Sequence, residues 1–190
     1  MGTGQMMLSI LAVTLLGLTI IAVNGNNLNQ GTILRQTELG IYGVSLATSY
    51  LQKASSMDFD QNTVGGLVYI TVPMPQQGSI PAGTLTAPGS LHCETGESQN
   101  DDNTFNDFDD YNTFVRNVAI AGVDNFHVSA EVYYVNQTKP YARAANMSWL
   151  KQMNVSVNNT IDRRVFQNKT GDTQTATDTI KMSYIMGFYK

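Results

Sequence analysis

The sequence has few of the residues on which catalysis and soft-metal binding usually depend. Cys93 is the only cysteine, so no disulfide forms within the chain. His92 and His127 are the only histidines, which leaves too few ligands for a zinc site of the usual Cys/His kind. The sequence has no Gly-x-Ser-x-Gly nucleophile elbow. We therefore expect a protein that is not an enzyme and that has no cofactor.

Charged residues are also scarce. They make up 14% of the chain, against roughly 25% in a typical soluble domain. The net charge is −4 and the pI is about 5.0. A protein that follows a nucleic-acid backbone needs a basic stripe, so we expect no nucleic-acid partner. Uncharged polar residues take the place of the charges, which favours an extracellular surface or a repetitive assembly.

The first charged residue is Arg35, and an apolar run covers residues 6–23 before it. As a helix this run spans roughly 27 Å, close to the thickness of a hydrocarbon core. The run is interrupted only by Ser9, Thr14, Gly17 and Thr19. The large apolar residues of this predicted assembly helix are Met6, Leu8, Ile10, Leu11, Val13, Leu15, Leu16, Leu18, Ile20, Ile21 and Val23.

A second helical pattern follows the apolar run. No proline occurs between residues 30 and 56, and apolar residues recur there at helical spacing in two neighbouring stripes. These stripes are Leu34, Ile41, Val44 and Leu51, and Leu39, Tyr42, Leu46 and Tyr50. Poor helix formers separate the two patterns: Asn24, Gly25, Asn26 and Asn27. We predict an N-terminal helical region over 1–57, with an apolar part (6–23), a flexible joint (24–31) and an amphipathic part (32–56).

The remaining residues, 58–190, predict a β-rich head domain. A strand is expected at 67–72, and period-two alternation predicts strands at 126–135, 149–157 and 180–189. One face of the 149–157 strand carries Trp149, Lys151, Met153, Val155 and Val157. Repeated prolines predict a long surface excursion over 73–106. The expected fold class is α+β, a long N-terminal helix packed on an antiparallel sheet.

Three interpretations of the N-terminal region compete. A cleavable secretory signal predicts a basic start, but residues 1–5 carry no Lys or Arg. A simple membrane anchor explains the apolar run but not the amphipathic segment after it. The complete layout of apolar half-helix, weak joint, amphipathic half-helix and β domain resembles type IV pilins and pseudopilins. We favour this third interpretation.

The resemblance implies a structural subunit of an extracellular, pilus-like filament at the cell surface. It implies a helical homopolymer as partner, an inner-membrane state before assembly, and contact with a pilus assembly machinery. The joint would be the stretch that loses helicity on assembly. The family usually carries a Glu five residues into the mature chain. Here Gln5 occupies that position if Met1 is the mature first residue, and Ser9 occupies it if cleavage follows Gly4. The alternatives are a minor pilin or pseudopilin, and a membrane-anchored surface binding module.

Two further patterns lie in the head domain. Asp107, Asp109 and Asp110 are hard oxygen ligands at short spacing, and so are calcium candidates. The alternative is a turn-forming loop whose carboxylates accept hydrogen bonds from nearby backbone amides. Residues 107–112 are also similar to a stretch in some minor pilins and pseudopilins. Glycosylation triplets occur at Asn136, Asn146, Asn158 and Asn168, and at Asn154 within a predicted strand.

Overall fold

The computed structural model describes residues 2–66, 79–81, 83–159 and 179–188, apart from the side chains of Asn29 and Thr32. The strand predicted at 67–72 lies outside the described residues. The chain forms two compact units, Met1–Leu39 and Gly40–Lys190. The described elements give an α+β fold, as the sequence predicts.

One helix, α1, runs from Thr3 to Ser55. It is unbroken through Asn24, Gly25, Asn26 and Asn27, because single poor helix formers cost about 1 kcal/mol or less each and the flanking apolar turns continue the hydrogen-bond ladder. Loss of helicity at this joint during assembly stays a prediction. The helix ends where the amide and the hydroxyl of Ser56 both donate to the carbonyl of Lys53.

Four strands form one antiparallel sheet in the second unit. They are β1 (Val115–Ile120), β2 (Asp124–Tyr134), β3 (Leu150–Asn159) and β4 (Ile180–Gly187), in spatial order β1-β2-β3-β4. The three alternating runs thus predict β2, β3 and β4 correctly. Strand β1 was not predicted. Among the described strands it lies at the edge of the sheet. It has no buried residue, so it carries no inward apolar set for a pattern to reveal.

The inward face of the sheet follows the predicted alternation. Phe126, Val128, Val132 and Tyr134 of β2 are buried, and Met153, Val155 and Val157 of β3 lie beside them. The register pairs Val128 with Val157 and Val132 with Met153, which places apolar side chains opposite one another. In β4 the pattern is weaker, and Tyr184 is 40% exposed.

The part of α1 in the second unit packs through small residues, which the predicted stripes did not include. Gly43, Ala47 and Ala54 are buried, together with Tyr50 and Leu51. In contrast, the predicted stripe residues Leu34, Ile41 and Val44 are exposed, so that stripe is wrong for these three. Small side chains are selected here because they let the helix backbone approach the sheet closely. A Cβ built on Gly43 would lie 2.5 Å from Cδ1 of Ile180 on β4.

The proline-rich segment before β1 is more than a surface excursion. Its described part contributes the buried side chains of Ile80, Leu85 and Leu91 to a hydrophobic cluster with Phe59 and Trp149. A second group consists of aromatic rings in edge or tilted contact: Tyr50, Phe105, Tyr111 and Phe114. The loops therefore supply much of the core, because four strands alone offer limited apolar area.

The close approach at Gly43 predicts a contrast with Gly40, where an added Cβ would meet no described atom within 4 Å beyond the adjoining helix backbone. Gly40→Ala should stabilise the unit by about 0.5–1 kcal/mol, since alanine is the better helix former. In Gly43→Ala the new methyl displaces Ile180, so we expect it to be about 1–3 kcal/mol less stable than Gly40→Ala. Urea unfolding of the full-length chain in detergent, followed by fluorescence of the sole tryptophan, Trp149, measures both. Equal stabilisation by the two substitutions would contradict the close packing.

Candidate functional site

The first candidate surface is the apolar N-terminal part of α1. Its large side chains are 58–75% exposed. The most apolar 18-residue window of α1 has a mean hydropathy of 2.5 and is not buried at all, and the helix is long and apolar enough to cross a membrane. We call this set the apolar helix surface. It consists of the residues predicted for the assembly helix: Met6, Leu8, Ile10, Leu11, Val13, Leu15, Leu16, Leu18, Ile20, Ile21 and Val23.

The polar side chains within this surface are satisfied inside the helix. Ser9 donates to the carbonyl of Gln5 (3.0 Å), Thr14 to that of Leu11 (2.8 Å), and Thr19 to that of Leu16 (2.8 Å). Each hydroxyl therefore has a partner without water. The surface can enter lipid or a dry protein interface without leaving these donors unpaired.

Exposed apolar residues continue beyond Val23. Leu28, Ile33, Leu34, Ile41 and Val44 are 46–73% exposed. Within the first unit, from Met6 to Leu34, a helix measures roughly 42 Å, more than the roughly 30 Å of a hydrocarbon core. The exposed apolar residues of α1 therefore extend over a greater length than one bilayer can cover.

The second candidate region lies in the head, around a lysine that is fully buried on the inward face of β3. The ammonium of Lys151 donates to Oδ2 of Asp60 (2.7 Å), Oδ1 of Asp109 (2.7 Å) and the carbonyl of Phe59 (2.9 Å). It also lies over the rings of Phe59 and Tyr134. All three of its donor positions are thus used, as a buried charge requires.

Asp60 is the more completely satisfied of the two carboxylates. It accepts hydrogen bonds from Asn62, Thr86, Tyr134 and Lys151. Burial acts to raise its pKa, but the Lys151 charge and these hydrogen bonds outweigh burial and lower the pKa. Asp60 is therefore an anion that holds the 58–66 turn and the Thr86 segment against β3.

A group of carboxylates with little compensating charge lies beside this ion pair. We call it the carboxylate cluster: Glu94, Glu97, Asp107, Asp109 and Asp110. The three aspartates are fully buried and the two glutamates are half-buried. Lys151 forms an ion pair with Asp109, whereas no described Lys or Arg forms one with Glu94, Glu97, Asp107 or Asp110.

Backbone amides hold the aspartates in place. Oδ1 of Asp107 accepts from the amides of Asp109 (2.8 Å) and Asp110 (3.3 Å), and Oδ2 of Asp110 accepts from those of Asn106 (2.9 Å) and Asp107 (3.0 Å). These are the bonds from backbone amides to carboxylates that the turn-forming interpretation of the Asp-rich stretch includes. The short 3₁₀ turn Asp109–Tyr111 is built on these bonds. Asn112 then connects the turn to β2 by accepting from the amide of Val132.

The glutamates come from a separate tight turn. The amide of Glu97 donates to the carbonyl of Glu94, and the amide of Glu94 donates to Oε2 of Glu97. Gly96, at φ +109°, supplies the backbone conformation that closes this turn. The turn brings Glu94 to Asp107 and Asp110, so that one carboxylate oxygen of each lies within 4.8 Å of the others.

Crowding of like charges changes the acidity of the cluster. Burial, followed by the charges of neighbouring carboxylates, raises the pKa of Glu94 to about 8 and that of Asp107 to about 10. Burial also raises the pKa of Asp110, to about 6, against the opposing effect of its two backbone hydrogen bonds. At neutral pH the cluster therefore retains protons or requires a cation.

The structure brings the three predicted calcium candidates together, and it adds residues that the sequence did not single out. Asp60, Glu94, Glu97 and Lys151 are missing from the prediction because turns bring them in from distant positions. One signal was present: Lys151 stands in the inward set of an alternating strand, where a charge requires a partner.

The predicted glycosylation positions differ in their surroundings. Asn146 is exposed in a loop. The Oδ1 of Asn136 accepts hydrogen bonds from Thr138 and Lys139, and the amide of Asn154 donates to Tyr133 within the sheet. Asn158 is half-buried near the end of β3, and Asn168 lies outside the described residues. Glycosylation stays a prediction, with Asn146 the most accessible of the described positions.

Comparison with known proteins yields no relative: no family model, no curated protein and no solved structure matches the chain. The function is therefore inferred from the geometry of the apolar helix surface and of the carboxylate cluster.

Removal of the Lys151 ammonium should be costly. Lys151→Met keeps the side-chain length but leaves Asp60 and Asp109 buried without their cation, so we expect a loss of about 3–5 kcal/mol in the free energy of unfolding. Lys181→Met, at an exposed position on β4, should change it by about 0.5 kcal/mol or less. Urea unfolding monitored through Trp149 compares the two. A loss in Lys151→Met as small as that of the control would show that Lys151 is not the anchor of these loops.

The raised pKa values predict how stability depends on pH when a chelator is present. A group whose pKa is higher in the folded state contributes stability below its unfolded pKa, and this is lost as pH rises through the folded pKa. We therefore expect the urea midpoint to fall from about pH 4 upward, with Asp110 contributing up to about pH 6, Glu94 up to about pH 8 and Asp107 up to about pH 10. Asp60 has the opposite dependence, at lower pH. Glu94→Gln should flatten the decline between about pH 4.5 and pH 8, and an unchanged slope there would refute this assignment.

Proposed function

We propose that the protein is a structural subunit of an extracellular, type IV pilus-like filament that assembles through α1. The observation that carries this proposal is the apolar helix surface together with its exposed continuation to Val44. An exposed apolar surface of this size is unfavourable in water and marks a site of contact with a membrane or another protein. Burying one large apolar side chain contributes about 1.5–3 kcal/mol, so covering the apolar helix surface is worth on the order of 20 kcal/mol.

Length favours copies of the chain over lipid alone as the cover. A bilayer covers about 20 helical residues, which accounts for residues 6–23. It leaves Leu28, Ile33, Ile41 and Val44 exposed outside the hydrocarbon region. Helices of neighbouring subunits, staggered along a filament axis, would cover both stretches. This is the support for a polymer over a simple anchor.

The proposed mechanism begins in the membrane. The apolar part of α1 resides in the inner membrane until an assembly machinery transfers it into the growing bundle. There the internally bonded hydroxyls of Ser9, Thr14 and Thr19 enter an apolar core without a desolvation penalty. Identical helices in staggered contact bury different surfaces of one another, and such heterologous contacts propagate as a filament instead of closing as a dimer.

Electron microscopy of material sheared from the producing cells, with mass spectrometry of its dominant protein and N-terminal residue, tests the proposal. Uniform filaments composed chiefly of this chain are the expected result. Filaments in which this chain is rare would assign it as a minor pilin or pseudopilin. A chain that remains in the membrane fraction as detergent-soluble monomers would overturn the polymer and assign a membrane-anchored binding module.

Substitutions in the two stretches of α1 separate assembly from membrane anchoring. Leu15→Asp places a charge in the apolar helix surface and should abolish filaments, whereas Leu15→Ile should retain them. Ile41→Lys lies beyond the bilayer-length segment, so it should leave membrane insertion intact and still reduce filament yield at least tenfold. Filament counts and membrane fractionation measure the two effects. If Ile41→Lys formed as many filaments as the wild type, the exposed apolar residues beyond the bilayer-length segment would not take part in assembly.

A further inference from the structure

The carboxylate cluster has the geometry of a cation site. One carboxylate oxygen from each of Glu94, Asp107 and Asp110 lies within 4.8 Å of the other two. Calcium binds oxygen at 2.3–2.6 Å, so two of its ligands are at most about 5 Å apart. The three oxygens therefore lie at close to the spacing that one ion requires, and side-chain adjustments of a few tenths of an ångström would bring all three into its coordination sphere.

The orientation of these side chains is an independent second observation. Backbone amides occupy one oxygen of Asp107 and one of Asp110, and leave the other oxygen of each without a donor. The unoccupied atoms are Oδ2 of Asp107 and Oδ1 of Asp110, on side chains that are fully buried. Oε2 of Glu94 and Oε1 of Glu97 are likewise buried atoms without a donor among the described residues. The protein fixes these carboxylates and leaves their second oxygens available to a ligand.

The charge balance favours a cation. Lys151 is committed to Asp60 and Asp109. Lys53 and Arg116, the described basic residues that pair with the Asp-rich stretch elsewhere, both form ion pairs with Asp102. A buried carboxylate without a counter-charge is costly, and a divalent ion offsets two of them at once.

We propose that Glu94, Asp107 and Asp110, with Glu97 beside them, bind a calcium ion. All the contributing side chains are hard oxygen ligands on two turns, and calcium accepts such flexible, multi-carboxylate sets. Magnesium demands near-ideal octahedral geometry and is usually held by only one or two carboxylates. The half-buried Glu94 and Glu97 give the ion a route from solvent.

A softer metal fits less well. Cys93 lies close to Glu97 and Asp110, but its thiol donates to the carbonyl of Asp110 (3.3 Å). That bond requires the protonated thiol, whereas zinc binds the thiolate. The oxygen-only set is therefore the one that the hydrogen bonds favour.

Calcium binding would add a side-chain link between two turns whose segments are already connected by the hydrogen bonds from Cys93 to Asp110 and from Asn112 to Leu91. The Glu94–Glu97 turn would be fixed to the Asp107–Asp110 turn, and Asp109 of the latter already contacts Lys151 on β3. Bound calcium should therefore stabilise the unit Gly40–Lys190. The site lies within this unit and does not depend on filament formation.

Isothermal titration of the full-length chain in detergent, stripped with EDTA, tests the proposal with calcium chloride at neutral pH. We expect saturable binding of one ion with a dissociation constant on the order of 10⁻⁴ M or tighter, and binding of magnesium chloride at least tenfold weaker. Calcium should also raise the thermal midpoint measured by Trp149 fluorescence. Absence of both effects up to about 10 mM calcium, above the range of extracellular calcium modules, would show that the carboxyls share protons instead.

Matched variants separate a ligand role from a purely structural one. Asp107→Asn and Glu94→Gln should each weaken calcium binding at least tenfold. In EDTA both should be as stable as the wild type or more stable, because each removes a crowded charge. Asp101→Asn, in the same acidic stretch but bonded to Asn103, should bind calcium within twofold of the wild type. Equal weakening by all three would mean general electrostatic attraction and would overturn the site.

A last variant separates the oxygen set from one that uses sulfur. Cys93→Ser should retain calcium affinity within twofold, because the proposed site does not use the thiol. Loss of binding in this variant, together with tighter binding of zinc chloride by the wild type, would assign the metal to Cys93, Glu97 and Asp110 instead.

Discussion

The head domain depends on a single buried ammonium. Lys151 stands where an alternating strand would ordinarily place a leucine or valine, and its charge is tolerated because Asp60, Asp109 and the carbonyl of Phe59 surround it. A buried pair of this kind adds little net stability compared with apolar packing. Its contribution is conformational specificity. The carboxylates of Asp60 and Asp109, on loops distant in sequence, are both neutralised at one position on β3. The hydrophobic side chains of Leu85, Leu91 and Trp149 pack around the loops that the ion pair holds against β3.

The small and the larger apolar residues of helix α1 have different surroundings. In the second unit it presents Gly43, Ala47 and Ala54, where short side chains permit close approach to the sheet. Its larger apolar residues, such as Ile41 and Val44, point away from that contact and are exposed. Tyr50 and Leu51 are buried with these small residues, so some large side chains contribute to the intramolecular contact as well. Ile41 and Val44 remain available for a second apolar environment, which the proposed filament would supply.

The sequence predicted those features of the fold that are periodic. Alternation located β2, β3 and β4, and the unbroken apolar character of the chain located α1. Strand β1 was missed because an edge strand without buried residues has no inward set. The helix face was predicted in part: Leu39, Tyr50 and Leu51 of the stripes are buried, whereas Leu34, Ile41 and Val44 are exposed. A pattern of large apolar residues at helical spacing does not include glycine and alanine. The Asp-rich part of the carboxylate cluster is apparent from the sequence. The cluster member Glu94 and the neighbouring Asp60 are not, because turn closure and loop packing over long sequence separations leave no local pattern.

The carboxylate cluster and Lys151 solve the same electrostatic problem in different ways. At Asp60, one lysine and several neutral donors satisfy every acceptor, so the anion is stable without any added ion. At Asp107 and Asp110, the backbone satisfies only half of each carboxylate, and no described basic residue faces the other half. Evolution had a neutral solution available, since asparagine at either position would keep the backbone hydrogen bonds and remove the repulsion. A carboxyl group at either position is neutralised by a proton or by an external cation, and only the cation makes use of the second oxygen of each as a ligand. This asymmetry between two adjacent anionic sites is the strongest reason to regard the cluster as built for a ligand.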